Sequence, residues 1–110
     1  MTHAEELARL KKILRDPIDR KFRFLAINPC KGTIYTEQDG VLFLAKDAGL
    51  VATLTMYRAK CIDLGCGQEH IESVDLLIQR VVEFQKKHGT KVPDTETECE
   101  IARCIAGILD

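Results

Sequence analysis

The sequence predicts an α+β fold: an N-terminal helix, an antiparallel β-hairpin or three-stranded meander, then three amphipathic helices. Three observations carry this. Strand-like alternation is confined to a short stretch after residue 21. Apolar residues recur at helical spacing before and after it. Strands and helices do not alternate, so a parallel sheet is not expected.

The first helix opens on a capping box, Thr2-x-x-Glu5. Leu7, Leu10 and Leu14 follow at helical spacing, and Asp16-Pro17 interrupts them, because the residue before a proline avoids helical geometry. "KFRFLAINPCKGTIYTE" then reads as a hairpin. Phe22, Phe24 and Ala26 alternate with Arg23, Leu25 and Ile27, and Asn28-Pro29-Cys30-Lys31-Gly32 is turn chemistry. Asp39-Gly40 between apolar runs suggests a second turn, with "VLFLA" (41–45) as a third strand. A helix starting near Thr36 is the alternative for the same residues.

From Asp47 a helix is expected, with Leu50, Leu54, Tyr57, Cys61 and Leu64 on one stripe. In the next helix Ile71, Val74, Leu77, Ile78, Val81, Val82 and Phe84 fill an arc of about 160°. Gly89 ends it, and "TKVPD" links it to a last helix. That helix is expected to start at Thr95 with Glu98 as capping partner, and to bury Ile101, Cys104, Ile105 and Ile108.

The chain has 110 residues and is 45% hydrophobic, enough for one domain spanning 1–110. A chain of this size buries roughly two-thirds of its unfolded surface. No apolar run approaches the ~18 residues of a membrane span. The start, "MTHAEELARLKKIL", is charged and amphipathic and does not read as a secretory signal. A cytoplasmic protein with reduced, mostly buried cysteines is therefore expected, the odd count of five arguing against a disulfide framework.

"CIDLGCGQEH", residues 61–70, is the most suggestive stretch. Asp63, Gly65 and Gly67, preceded by Cys61 and Ile62, resemble the cofactor loop of S-adenosylmethionine-dependent methyltransferases. That resemblance implies a strand before the loop, a helix after it and an alternating βαβ fold. Here the preceding "LVATLTMYRAKC" has helical periodicity, and Glu69 stands where the family pattern has its third glycine. The sequence around the motif favours a helix-to-helix corner. Gly65 would close one helix in a left-handed turn, and Glu69 would lie in the first turn of the next.

Other constellations are weaker. Cys61-x4-Cys66 and Cys99-x4-Cys104 suggest two halves of a thiolate metal site. Yet residues five apart on one helix point about 140° apart, so core packing is the expected role and no metal ligands are assigned. Cys66 with His70 is conceivable as a nucleophile pair, but nothing in the sequence supplies a third, orienting group. Lys46 and Asp47 sit where an element changes, and Asp47 is expected to cap. No catalytic or cofactor-binding residue is assigned.

Charge is unevenly spread although the net charge is −1. Arg9–Arg23 is basic and Asp94–Asp110 is acidic. Lys11, Lys12, Arg15, Arg20, Lys21 and Arg23 are the candidate residues for an acidic partner or nucleic acid, with Phe22 and Phe24 beside them. The expectation from the whole is a non-catalytic interaction or regulatory module, plausibly a homodimer or binding another protein. Nucleic-acid binding through Lys11–Arg23 is the alternative, and cofactor binding at Gly65–Gly67 the second.

Overall fold

The computed structural model describes residues 2–15 and 21–109. The elements are α1 (His3–Arg15), β1 (Leu25–Asn28), β2 (Thr33–Thr36), α2 (Leu50–Asp63), α3 (Gln68–His88) and α4 (Glu98–Leu109). The fold is α+β: a two-stranded antiparallel hairpin with helices around it in sequence. Two compact units are present, Met1–Leu42 with Thr95–Asp110, and Phe43–Asp94. No helix among the described residues is long and apolar enough to cross a membrane.

In the first unit, Thr2 caps α1 by accepting from the Glu5 N–H (3.2 Å). Helix α1 is described as far as Arg15; Asp16 and Pro17, expected to end it, lie outside the described residues. The hairpin pairs Leu25 with Thr36 and Asn28 with Thr33. Its turn forms as the residue types dictate. The Asn28 side chain accepts from the Cys30 and Lys31 N–H groups, and Gly32 takes the positive φ of 69° that the return needs.

The expected third strand is absent among the described residues: 41–44 form neither strand nor helix. The reason lies at the end of β2. The Thr36 N–H donates to Asp39 Oδ1 (2.7 Å), and the Thr36 carbonyl accepts from the Asp39 N–H (3.1 Å). Both backbone groups of Thr36 close locally, leaving none for a returning strand. Asp39 thus makes a tight turn beside β2, and neither the second hairpin nor the helix start near Thr36 forms. Glycine at position 40 suits this turn, because a Cβ there would lie 3.3 Å from the Phe24 ring.

That turn buries Thr36 and Glu37. The Glu37 side chain is fully shielded and faces Arg23, with Nε 3.2 Å from Oε1. Arg23 also donates to the Phe22 carbonyl (3.0 Å). Burying a carboxylate is unfavourable unless a cation and hydrogen bonds replace its water, which is the service Arg23 performs.

The last helix starts at Glu98, not Thr95. Its cap is Thr97, whose hydroxyl accepts from the Glu100 N–H (3.2 Å), so the working pair is shifted by two residues. Ile101 and Ile105 are half-buried, but Cys104 is exposed, contrary to expectation. The side chain of Ile108 lies outside the described set.

In the second unit, α2 begins at Leu50 with Gly49 as N-cap, later than the expected Asp47. Asp47 instead shapes the approach: its side chain accepts from the Gly49 N–H (2.7 Å), and its carbonyl from the Leu50 N–H (3.1 Å). Gln85, on α3, donates to the carbonyls of Ala45 and Asp47, each at 2.9 Å. The Ala48 N–H donates to the Lys91 carbonyl and the Lys91 N–H to the Lys46 carbonyl. The core of this unit is Leu50 and Cys61 from α2 with Ile71, Val74 and Val81 from α3.

Glu37→Ala should remove the fully shielded carboxylate that balances the Arg23 charge and cost about 3–5 kcal/mol of stability. Denaturant unfolding measures this. An Arg23→Met/Glu37→Leu double variant should recover most of the loss, because it removes both charges together.

Candidate functional site at the corner between α2 and α3

"CIDLGCGQEH" is a helix-to-helix corner. Helix α2 ends at Asp63, and Gly65 takes a left-handed φ of 76°. The Gly65 N–H then donates to the Ile62 carbonyl and the Cys66 N–H to the Cys61 carbonyl, both at 3.0 Å. These two bonds are the Schellman pattern, which satisfies carbonyls that a helix end would otherwise leave open. The Gly67 carbonyl accepts the first bonds of α3, from the His70 and Ile71 N–H groups. Glu69 lies in the first turn, where the helix dipole favours an acid.

The Schellman turn has a chemical consequence. It binds the backbone of Cys66 to the backbone of Cys61, so the two side chains meet. Cys66 is not a continuation of α2, and the 140° separation expected for a shared helix does not arise. His70, one turn into α3, comes back over the same place. The ligand atoms of Cys61, Cys66 and His70 all lie within 4.8 Å of one another. Cys61 is buried, Cys66 half-buried and His70 exposed.

Tyr57, one turn before Cys61, joins them. Its hydroxyl lies 3.2 Å from His70 Nε2, with the two rings edge to face. A hydrogen bond to Cys61 holds the Tyr57 phenol above its ordinary pKa, with the charge of Cys61 acting the same way. Partial burial pushes the Cys66 thiol up, and the hydrogen bond that it donates to Cys61 adds to this. Beside the corner, Arg58 on α2 and Asp75 on α3 form a two-pronged ion pair, Arg58 Nη2 lying 3.2 Å from Oδ2. The corner is therefore pinned at its turn and across its helices.

Two thiols and an imidazole in one cluster are soft and borderline donors, the set that suits thiophilic cations. No protein-family model, curated protein or solved structure matches the chain. The corner must be judged on its chemistry alone.

The structure places the other candidates elsewhere. Asp63 is exposed at the end of α2 and is not among the clustered donors. Helix α2, not a strand, leads into Gly65 and Gly67, so the strand–loop–helix context of the methyltransferase loop is lacking. Cys30, Cys99 and Cys104 are exposed, which corrects the expectation of mostly buried thiols. His88 packs against the Phe84 ring at the far end of α3. Of the basic candidates, Lys12 is exposed on α1, Lys21 lies 5.7 Å over the Phe22 ring and Arg23 faces Glu37. Arg20 lies outside the described residues, as do the side chains of Lys11 and Arg15.

Tyr57 is the member of the cluster that sequence reading assigned to packing alone. Its signal was the spacing Tyr57-x3-Cys61-x4-Cys66-x3-His70, with glycine at 65 to fold the second half back.

Gly65→Ala should cost about 1–2 kcal/mol, because a Cβ is disfavoured at this φ. No neighbour would crowd it, so the loss is one of backbone conformation only. Thermal unfolding checks this. On brief alkylation at neutral pH, Cys30, Cys99 and Cys104 should be modified first, Cys66 later and Cys61 last. Peptide mass mapping gives that order.

Proposed function

We propose that the chain is a small non-catalytic regulatory module whose responsive part is the α2–α3 corner. The observation that supports this is the convergence of Cys61, Cys66 and His70 within 4.8 Å on a corner fixed by a Schellman turn. Donors taken from the end of α2, the turn and the start of α3 are bridged by anything that binds them all. Such a ligand would tie the two helices together at their junction. A change of this kind alters the stability and the surface of the helical pair without chemistry on a substrate, which is what regulation by binding requires.

Chemical-shift mapping by NMR of the full chain tests the reading against its rivals. Three probes are added separately: zinc chloride, S-adenosylmethionine and a single-stranded oligonucleotide. Shifts confined to residues 57–70 with zinc or with S-adenosylmethionine support the corner as the responsive part. Shifts confined to Lys11–Arg23 with the oligonucleotide would replace this reading with nucleic-acid binding. No response near 57–70 to any probe would overturn it.

A further inference from the structure

Taking the corner as the responsive part, we infer that its ligand is a zinc-class divalent cation, held by Cys61, Cys66 and His70 and supported by Tyr57. The ligand chemistry comes first. Zinc favours thiolate and imidazole donors in tetrahedral arrangement. With Zn–S near 2.3 Å and Zn–N near 2.0–2.1 Å, tetrahedral donors lie roughly 3.5–3.8 Å apart. The three donor atoms here already lie within 4.8 Å of one another. The closure needed is therefore about one ångström, within reach of small side-chain rotations. No backbone movement is required, and the Schellman turn would resist one.

The surroundings favour the same ion. Cys61 is 1% exposed, so one ligand is already desolvated and fixed by the core. His70 stands exposed at the mouth, which gives the ion an entry path. Imidazole ligands commonly have their second ring nitrogen held by a neighbouring polar group, which fixes the tautomer and the ring orientation. Tyr57 offers that contact at His70 Nε2, at 3.2 Å. Tyr57 is thus a positioning residue, which leaves Nδ1 as the ring nitrogen for the cation. Three protein donors leave a fourth position for solvent. On binding, each thiol gives up its proton to solvent, and the thiolate displaces a water molecule from the hydrated cation, which returns to solvent.

Isothermal titration of zinc into the reduced, metal-free full chain is the test. One equivalent should bind. Cys66→Ser and His70→Ala, at positions outside the core, should each abolish it. Cys61→Ser should do the same if that variant folds, but the inference does not depend on it. Cys99→Ser and Cys104→Ser should bind as the parent does. Tyr57→Phe should bind about 10–100-fold more weakly. Its metal-free melting temperature should barely move, since it keeps the ring, so the loss would be one of ligand orientation. Cobalt added to the parent should give thiolate-to-metal charge-transfer absorption, and cobalt added to Cys66→Ser should give none.

Failure of the parent to bind zinc would overturn the inference, as would binding indifferent to Cys66→Ser and His70→Ala or lost in Cys99→Ser. Unchanged affinity in Tyr57→Phe would overturn the role of Tyr57. If zinc fails but S-adenosylmethionine shifts residues 57–70, the metal inference falls and the corner reading stands. If neither does, both fall.

Discussion

The left-handed turn at Gly65 is the constraint on which the Phe43–Asp94 unit depends. One residue with φ of 76° redirects the chain so that α3 can return along α2. The two backbone bonds that accompany it do more than end a helix. They fix Cys66 over Cys61 and set where the first turn of α3 begins. The buried contacts of Cys61 with the helical pair, the Arg58–Asp75 clamp and the meeting of Tyr57 with His70 all require that direction of return. The clustering of donors follows from backbone geometry first and side-chain preference second.

The other unit is organised by a polar group instead. Glu37 lies inside because the Thr36–Asp39 turn tucks the chain over it, and Arg23 makes that burial tolerable. A buried ion pair of this kind is weak evidence for added stability, because desolvation offsets much of the attraction. What it does impose is a constraint: a packing that separated the two groups would leave the shielded Glu37 carboxylate without its balancing charge. Residue 23 therefore has a structural duty that its position in a basic stretch conceals.

Much of the fold was legible because helices announce their ends. Thr2, Gly65 and Gly89 mark boundaries for local reasons, and the structure uses Thr2 as a cap and the glycines at positive φ. The third strand misled because "VLFLA" has the composition of a strand, while its fate was decided upstream. Asp39 took the backbone groups of Thr36 that pairing would have needed. The shift of the last helix start from Thr95 to Thr97 has a similar cause: two threonines each precede a glutamate by three residues, and sequence alone does not rank them. The corner was legible as architecture and illegible as a site. Projecting Cys61 and Cys66 onto one helical wheel assumes that the helix continues, whereas a glycine between them breaks that assumption. Spacing rules for paired cysteines carry little across a chain reversal.

Gln85 carries a consequence of a different kind. Helical hairpins usually come apart from their open end, where terminal turns fray with little loss. Here that end is sewn. Gln85 holds the carbonyls of Ala45 and Asp47, and Lys91 bridges to the segment before α2. The glycine corner closes the opposite end, so α2 and α3 lie inside a ring of chain with no loose terminus of their own. Loosening the sewn end means breaking these bonds together before the chain there gains freedom. The helical pair is thereby made to behave as one cooperative piece, holding or releasing its whole length together.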